Sequence, residues 1–386
     1  MENEGFECYA VGGCVRDILL GAKPSDVDFT TNATPDEILN CFKAYKTFEV
    51  GKKYGTISVL NNNETYEITT YRIDGEYTDA RHPSMVKFSG NLKDDLSRRD
   101  FTINAMAMDK NGTVVDIFGG KEDLNKKLIR TVGSPEERFS EDALRIFRAL
   151  RFSAKLGFSI DVETSAACKK LSYLLKNVHP QRLRDELSQL LSADCAYETI
   201  SAYRDIFAVI IPQLKKTFDF QQITAHHRYD VFTHTLKALS YSPKDLEIRY
   251  ALLFHDIAKP LCHTVDKAGI SHFKGHPAKS ADIAAEILKS FSFSNEFVNK
   301  VRLLIKYHDK RFEKPRPHIK KVLTELSTEE FEKLLTVQRC DVLAQSEYMQ
   351  KEKLARIDFI QSEFYNILNE EACFKLSDLA VNGVDI

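Results

Sequence analysis

Asp26 and Asp28, in Pro24-Ser25-Asp26-Val27-Asp28-Phe29-Thr30-Thr31, have the type and spacing for chemistry. The residues around them favour a strand, where alternate side chains share a face, so both carboxylates are expected to point the same way. Hard divalent ions such as Mg²⁺ take oxygen ligands and keep waters and substrate phosphates as the rest of their shell. Two such carboxylates therefore suit two-metal phosphoryl transfer, although an isolated D-x-D also occurs in ordinary Asp-rich turns. Upstream, Tyr9-Ala10-Val11, Gly12-Gly13-Cys14-Val15-Arg16-Asp17 and Ile18-Leu19-Leu20 read as strand, glycine turn and helix. Gly12 and Gly13 lack Cβ atoms, so backbone N–H groups there can approach a polyphosphate at a helix start, and Arg16 adds a fork of donors. Alone this is a turn; beside the carboxylates it reads as phosphate binding.

Two further segments carry polar groups of the same kind. Arg98-Arg99-Asp100-Phe101-Thr102-Ile103-Asn104-Ala105 sets two guanidinium groups, which grip phosphate, beside an acid and an amide, which bond ribose hydroxyls; the alternative is a helix start with a surface ion pair. Ser140 is expected to cap a helix that Gly157 ends, with Asp142 and Arg145 neighbours on one face. A carboxylate beside a guanidinium can imitate a base edge, accepting from the exocyclic amine of cytosine or adenine and donating to the ring nitrogen. Uracil and guanine would leave an unpaired contact. The alternative is an intrahelical salt bridge. Arg145, Arg148, Arg151 and Lys155 recur at helical spacing as a basic stripe, suited to a phosphate backbone or simply solvated.

These segments need a scaffold of two kinds. Up to about residue 131, β-branched runs such as Thr56–Leu60 and Tyr66–Tyr71 alternate with polar turns, an α/β pattern; from Ser134-Pro135 onward helix follows helix. With 43% hydrophobic and 28% charged residues, the chain has the composition of a soluble multidomain protein, expected in the cytoplasm and not in a membrane. Eight cysteines stand singly, without the spacing of a disulfide framework or a cysteine zinc site. A net charge of −2 supplies no global attraction to nucleic acid, so such binding must come from local basic groups.

Gly12–Asp17, Asp26-Val27-Asp28, Arg98–Ala105, Asp116-Ile117-Phe118-Gly119-Gly120 and Glu141–Arg145 together resemble the class II tRNA nucleotidyltransferases, the CCA-adding enzymes of the polymerase-β superfamily, which share their head with bacterial poly(A) polymerases. The resemblance implies an α+β fold: a polymerase-β-type head over 1–131, a helical neck over 132–193, a helical body over 194–350 and the start of a truncated tail over 351–386. It implies template-independent transfer of CMP, CMP and AMP from CTP and ATP to the tRNA 3′ end, with Mg²⁺ on Asp26 and Asp28. Asp142 and Arg145 would read the base, and Arg98, Asp100 and Asn104 would serve sugar and triphosphate. Arg182 and Glu186 match the neck motif, with Gln181 where a Glu is usual. Gly75–Pro83 looks like the flexible loop that CC-only relatives lack. Glu67 is either a third carboxylate near the metals or a plain strand Glu.

In the body, His234, His255-Asp256, His276, His308 and Asp341 resemble the HD phosphohydrolase superfamily. By that resemblance His234, His255, Asp256 and Asp341 hold a metal, His276 and His308 support a second, and Lys259 stabilises developing charge. Imidazole ligands suit Mn²⁺, Co²⁺ or Ni²⁺, and bound water becomes a nucleophile against a phosphate ester. The expected function is CCA addition. The rivals are a poly(A) or A-adding polymerase on the same head, and a tRNA-binding HD phosphohydrolase with an idle head.

Overall fold

Alternation builds the sheet of the first unit. Strand β4 (Thr56–Asn61) buries Ile57 and Val59 on one face, and β5 (Glu64–Thr70) buries Ile68 and Thr70. They join β1 (Cys8–Val11), β2 (Asp28–Thr31) and β3 (Lys46–Phe48). Strands β6 (Arg72–Asp74) and β7 (Val86–Phe88) pair separately. With β8 (Met106–Met108) and β9 (Val114–Asp116), the seven-stranded sheet runs β3-β4-β5-β2-β1-β8-β9, and is mixed because β2 and β5 are parallel while the other pairs are antiparallel.

This computed structural model describes residues 1–75 and 86–370. The expected flexible loop, Gly75 apart, and residues 371–386 of the expected tail lie outside the described residues. The chain divides into two compact units, Met1–Val178 and a second beginning at His179.

Helices α1 (Gly13–Leu19), α2 (Pro35–Cys41), α3 (Leu92–Ser97) and α4 (Gly120–Asn125) belong to the first unit. Helix α2 starts sharply because Thr34 and Glu37 form a reciprocal capping box with Pro35 at the first position, and Ile38 then seals Ile57, Val59 and Ile68. A second small core joins Val11, Leu96 and Ala107. Asp116 accepts from the backbone N–H groups of Gly120 and Lys121, and a Cβ on Gly120 would lie 2.4 Å from the carbonyl oxygen of Thr102. The Asp-Ile-Phe-Gly-Gly segment thus fixes α4 against the residues that follow Asp100.

Two sequence expectations change here. Helix α5 (Pro135–Glu141) starts at Ser134, which caps Glu137, so Ser140 lies inside a helix and is not an N-cap. Asp142 leaves helical geometry (φ −140°, ψ 102°), its carboxylate accepts from the N–H of Leu144, and α6 (Leu144–Leu156) follows to Gly157. The pattern of one helix conceals a break because a capping Asp and a following apolar run preserve the periodicity. The remainder is also not purely helical. A two-residue strand β10 (Leu128–Ile129) pairs in parallel with β11 (Ser159–Ile160), both too short to show alternation, before α7 (Val162–Leu171).

The second unit contains α8 (Pro180–Leu191), α9 (Ala196–Ala202), α10 (Arg204–Ile210), α11 (Val231–Ser240) and α12 (Leu246–Phe254). After the small antiparallel pair β12 (Thr264–Val265) and β13 (Ser271–His272) come α13 (His276–Ser290), α14 (Asn295–Tyr307), α15 (Pro315–Val322), α16 (Thr328–Ala344) and α17 (Gln350–Asn369). Helix α17 buries Ile357, Ile360, Phe364 and Ile367. No helix of the described residues is long and apolar enough to cross a membrane.

Buried polar groups tie the first unit together around Asp100. Its Oδ1 accepts from Phe101 N–H (2.8 Å) and Asn104 Nδ2 (3.1 Å), and its Oδ2 accepts from Nε (2.8 Å) and Nη2 (2.7 Å) of Arg148 on α6. Asn104 Oδ1 in turn accepts from Arg16 Nη1 (2.7 Å), so one chain of bonds runs from the glycine turn to α6. Burial alone would raise the Asp100 carboxyl, yet Arg148 and Asn104 outweigh it and hold it down at about 2. A depressed carboxyl stabilises the fold above its unfolded value and loses that contribution as pH falls through the folded one. We expect Asp100→Asn to cost roughly 2–4 kcal/mol at neutral pH, by leaving Arg148 without its charge partner. Urea midpoints should further show the wild type losing its advantage between about pH 4 and pH 2; an unchanged gap across that range would remove Asp100 as the keystone.

Candidate functional site

Register brings the first set of groups together. Val11 faces Asp28 across the β1–β2 ladder and Asp28 faces Glu67 across β2–β5, so the glycine turn that ends β1, Asp28 at the start of β2 and Glu67 in the middle of β5 lie side by side. Although Asp28 is exposed, the atoms packed around its carboxyl raise it by desolvation, Glu67 and then Asp26 push it the same way, and Arg99 opposes them. Crowded oxygen donors of this kind fit a hard divalent cation. Asp26 differs from expectation. Strand β2 begins only at Asp28, because its partner β1 turns away at Gly12. Asp26 sits in the preceding connection, exposed, its carboxylate accepting from Ser25 Oγ (2.6 Å). The two aspartates are therefore not alternate residues of one strand.

Gly12 caps α1 at φ 84°, and a Cβ there would come within 2.9 Å of Arg99 Nη1. Gly13 follows as the first residue of the helix. Arg16 is turned inward: it is 3% exposed, bonded to Asp17 and Asn104, with Phe152 beneath it. It braces the turn, which corrects its reading as an open phosphate fork. Arg99 takes that place against Gly12. The buried Asp95 holds both neighbours, Arg98 through Nε (3.0 Å) and Nη2 (2.7 Å) and Arg99 through Nη2 (3.1 Å). Burial would raise Asp95, but the two guanidinium groups hold it below the ordinary carboxylate range. The Asp95-Arg98-Arg99 spacing of three and four was visible in the sequence, which offered both guanidinium groups, though the family resemblance assigned a role to Arg98 alone.

The base-reading candidates lie at the α5–α6 break. Arg145 donates through Nη1 to Glu141 (2.6 Å) and to the carbonyl of Arg138 (3.2 Å), and through Nη2 to the carbonyl of Arg98 (3.0 Å). Glu141, which the sequence reading placed in the motif without a role, thus sets where this guanidinium points. The basic stripe is not an exposed face. Arg145 and Arg151 are 8% and 7% exposed, Arg151 lies over the Phe152 ring at 4.0 Å, Arg148 holds Asp100, and only Lys155 of the four is classed as exposed. Core contacts at one helical spacing have replaced the solvated or RNA-facing stripe. In the second unit Arg182 and Glu186 stand one turn apart on α8, Glu186 buried.

The second set converges inside the helical unit. His234 lies on α11, His255 and Asp256 follow α12, His276 opens α13, His308 follows α14, and Asp341 lies on α16. Helix ends explain the placement: His255 and His308 occupy C-cap positions, where Nδ1 reaches back to the carbonyls of Leu252 and Ile305, each at 2.7 Å. Nδ1 of His276 faces the carbonyl of Phe273 (2.8 Å), and that of His234 the carbonyl of Ala344 (3.4 Å). A carbonyl only accepts, so each Nδ1 carries hydrogen, and each ring in its neutral form turns the Nε2 lone pair inward. Nε2 atoms then face one another at 3.3 Å in the pairs His234–His255 and His276–His308.

Two carboxylates complete the cluster. Asp341 Oδ1 is 2.8 Å from His234 Nε2; Asp256 sets Oδ2 3.1 Å from His255 and 2.6 Å from Lys259 Nζ, and Oδ1 3.2 Å from His276. Neither Asp256 oxygen completes a well-aligned hydrogen bond, although Asp256 is 1% exposed. Burial would lower His255, but Asp256 and Asp341 raise it to about 10, and both carboxyls are held well below their ordinary value. Buried carboxylates and opposed lone pairs call for a cation at their centre. Among the described residues, His234, His255 and Asp341 form one group of ligand atoms within 4.8 Å of one another, and His255, Asp256 and His308 another.

Residues 8–130 match the poly A polymerase head domain, and residues 157–218 the probable RNA and SrmB-binding site of polymerase A. The CCA-adding enzyme of Oceanobacillus iheyensis is 48% identical over 204 residues, 53% of this chain and 50% of its own length. That of Geobacillus kaustophilus is 38% identical over 271 residues, 70% of this chain and 66% of its own. The chain thus spans about half the length of relatives such as the first. The structure is similar to that of the Bacillus stearothermophilus CCA-adding enzyme in complex with CTP, with TM-score 0.71 and 27% identity over 100% of this chain and 83% of that one. Head motifs, matched domains and fold agree, and the chain belongs to the nucleotidyltransferase family of CCA-adding enzymes and poly(A) polymerases.

Proposed function

We propose that the protein completes tRNA 3′ ends by adding CMP, CMP and AMP from CTP and ATP. The observation that carries this reading is the strand register that sets Asp28 between the glycine turn and Glu67, within a head whose sequence matches the family. Asp26 and Asp28, with Glu67 beside them, would hold Mg²⁺, which supplies charge neutralisation at the triphosphate and activation of the primer hydroxyl. The Gly12–Gly13 turn and Arg99 receive the triphosphate. Asp142 and Arg145 present acceptor and donor to the base, with Glu141 and the Arg138 and Arg98 carbonyls fixing the guanidinium. The primer 3′ oxygen bonds to the α-phosphorus, and the bond to the β-phosphate oxygen breaks to release pyrophosphate.

Incubating a tRNA that lacks its 3′ end with labelled CTP and ATP should yield a ladder stopping at CCA. A long A tail would instead assign the head to poly(A) synthesis, and no incorporation would leave it idle. Asp28→Ala should lower incorporation by on the order of 10³-fold or more while leaving thermal unfolding little changed, because its side chain holds no core contact. Substantial residual activity with Mg²⁺ would take Asp28 out of the chemistry.

A second reading for the helical unit rests on its own observation, the opposed Nε2 lone pairs around Asp256. We infer that it is an HD-type metal centre with phosphohydrolase activity. His234, His255 and Asp341 would hold one ion and His255, Asp256 and His308 another, with His276 beside Asp256 and His308, which regroups the expected ligand sets; the imidazole-rich donors suit Mn²⁺, Co²⁺ or Ni²⁺ better than Mg²⁺. Lys259, buried between Asp256 and Gln222 Oε1 (2.7 Å), would stabilise negative charge on a bound phosphate. His255→Ala combined with Asp256→Ala should abolish high-affinity Mn²⁺ uptake in equilibrium dialysis while CCA addition persists. A wild-type protein that takes up no transition metal would reduce the cluster to a structural role.

A further inference from the structure

The imidazole cluster opens into a cavity of about 1100 Å³, ample for a nucleotide, whose wall also includes α17 and the segment after His308. Among the cations on that lining are Lys353 and Arg356 on α17, and Lys310 and Arg311. Neighbouring cations of this unit have carboxylate partners: Lys306 pairs with Glu325 (2.6 Å), Arg339 with Asp358 (2.6 Å), and Arg316 with Glu370. Among the described residues no carboxylate lies within ion-pair distance of Lys353, Arg356 or Arg311, although Asp309, Glu313 and Glu352 also line the cavity. Lys353 is half-buried, its Nζ on His226 Nδ1 (3.1 Å) and Gln345 Oε1, and that desolvation weakens its hold on the proton. An ammonium and two guanidinium groups left without anions in a concave wall form a ready site for a phosphate.

The wall is coupled to the metal ligands. Gln345 donates from Nε2 to Asp341 Oδ2 (3.0 Å), so two hydrogen bonds separate the Lys353 ammonium from a ligand carboxylate. Between them His227 keeps a buried Nδ1 without a partner, its ring against His234.

We propose that this cavity takes a nucleotide bearing two phosphate groups, the scissile one at the imidazole–carboxylate centre and the other on Lys353, Arg356 and Arg311. The proposal rests on the phosphohydrolase reading and names its substrate class. Water oxygen bonds to the scissile phosphorus, the bond from that phosphorus to the sugar oxygen breaks, and the sugar oxygen leaves with a proton. The products are inorganic phosphate and a nucleotide that retains its second phosphate.

The test uses the full chain with Mn²⁺, following bound metal by electron paramagnetic resonance and nucleotide affinity by calorimetry in the cold. The wild type should bind adenosine 3′,5′-bisphosphate about tenfold or more tighter than AMP, the effect of two charge-assisted contacts. The double variant Arg311→Gln with Arg356→Gln, both exposed residues outside the Gln345 link, should bring the two affinities within about threefold while Mn²⁺ occupancy stays at the wild-type level. Lys353→Met should lower the same ratio and also weaken Mn²⁺ binding through Gln345. Equal affinities in a protein that holds Mn²⁺, or a ratio that survives the double variant, would overturn the subsite and leave the phosphohydrolase reading intact. Absence of Mn²⁺ uptake would overturn that reading, while an affinity ratio that still collapses in the double variant would keep the anion subsite. A short oligoribonucleotide ending in a 3′-phosphate separates the two sources of this chemistry: tighter binding than the free bisphosphate assigns an RNA end, weaker binding a free nucleotide.

Discussion

The first unit depends on a carboxylate that is almost out of water. Asp100 ends in four hydrogen bonds, and through Asn104 and Arg16 it joins the glycine turn to α6. Taking an acid out of solvent is costly, and the cost is offset only while every partner stays in place. Loss of any one therefore loosens a chain that includes both the residue flanking Gly12 and the helix that carries Arg145. Positions tens of residues apart along the sequence are held to one geometry by this shared requirement, and the groups that meet substrate need not provide it themselves.

The two sites solve opposite electrostatic problems. Around Asp28, like charges are crowded in a place that water reaches, so its carboxyl is raised and a hydrated cation is the natural remedy. In the helical unit, carboxylates and imidazoles are enclosed, and the compensating charge must come from a proton on His255 or from a metal that displaces it. Open oxygen donors and closed nitrogen donors select different ions from the same solution.

How much of this could be read beforehand differs by kind of residue. The glycine turn was legible because its requirement is local: a strand, two residues without Cβ, then a helix. The histidines were legible because a His–Asp pair inside an apolar run has few structural excuses. What escaped was set by tertiary partners. Arg16 and Arg99 look alike as letters, yet burial beneath Asn104 turns one inward and the close approach at Gly12 leaves the other at the turn. The Asp142 break hid because its cap preserves helical spacing. The basic stripe misled for a related reason: periodicity marks a face without saying whether that face meets water or Phe152.

The carbonyls that hold the four imidazoles have a consequence for proton traffic. With every Nδ1 facing a backbone acceptor, the rings of His234, His255, His276 and His308 are fixed in one tautomer before any ligand arrives. A cation entering the cluster would then need no ring to rotate and no hydrogen to migrate across an imidazole. The proton that Asp256 and Asp341 favour on His255 would have to leave. Such a cation would compete with a hydrogen ion for that nitrogen's pair of electrons.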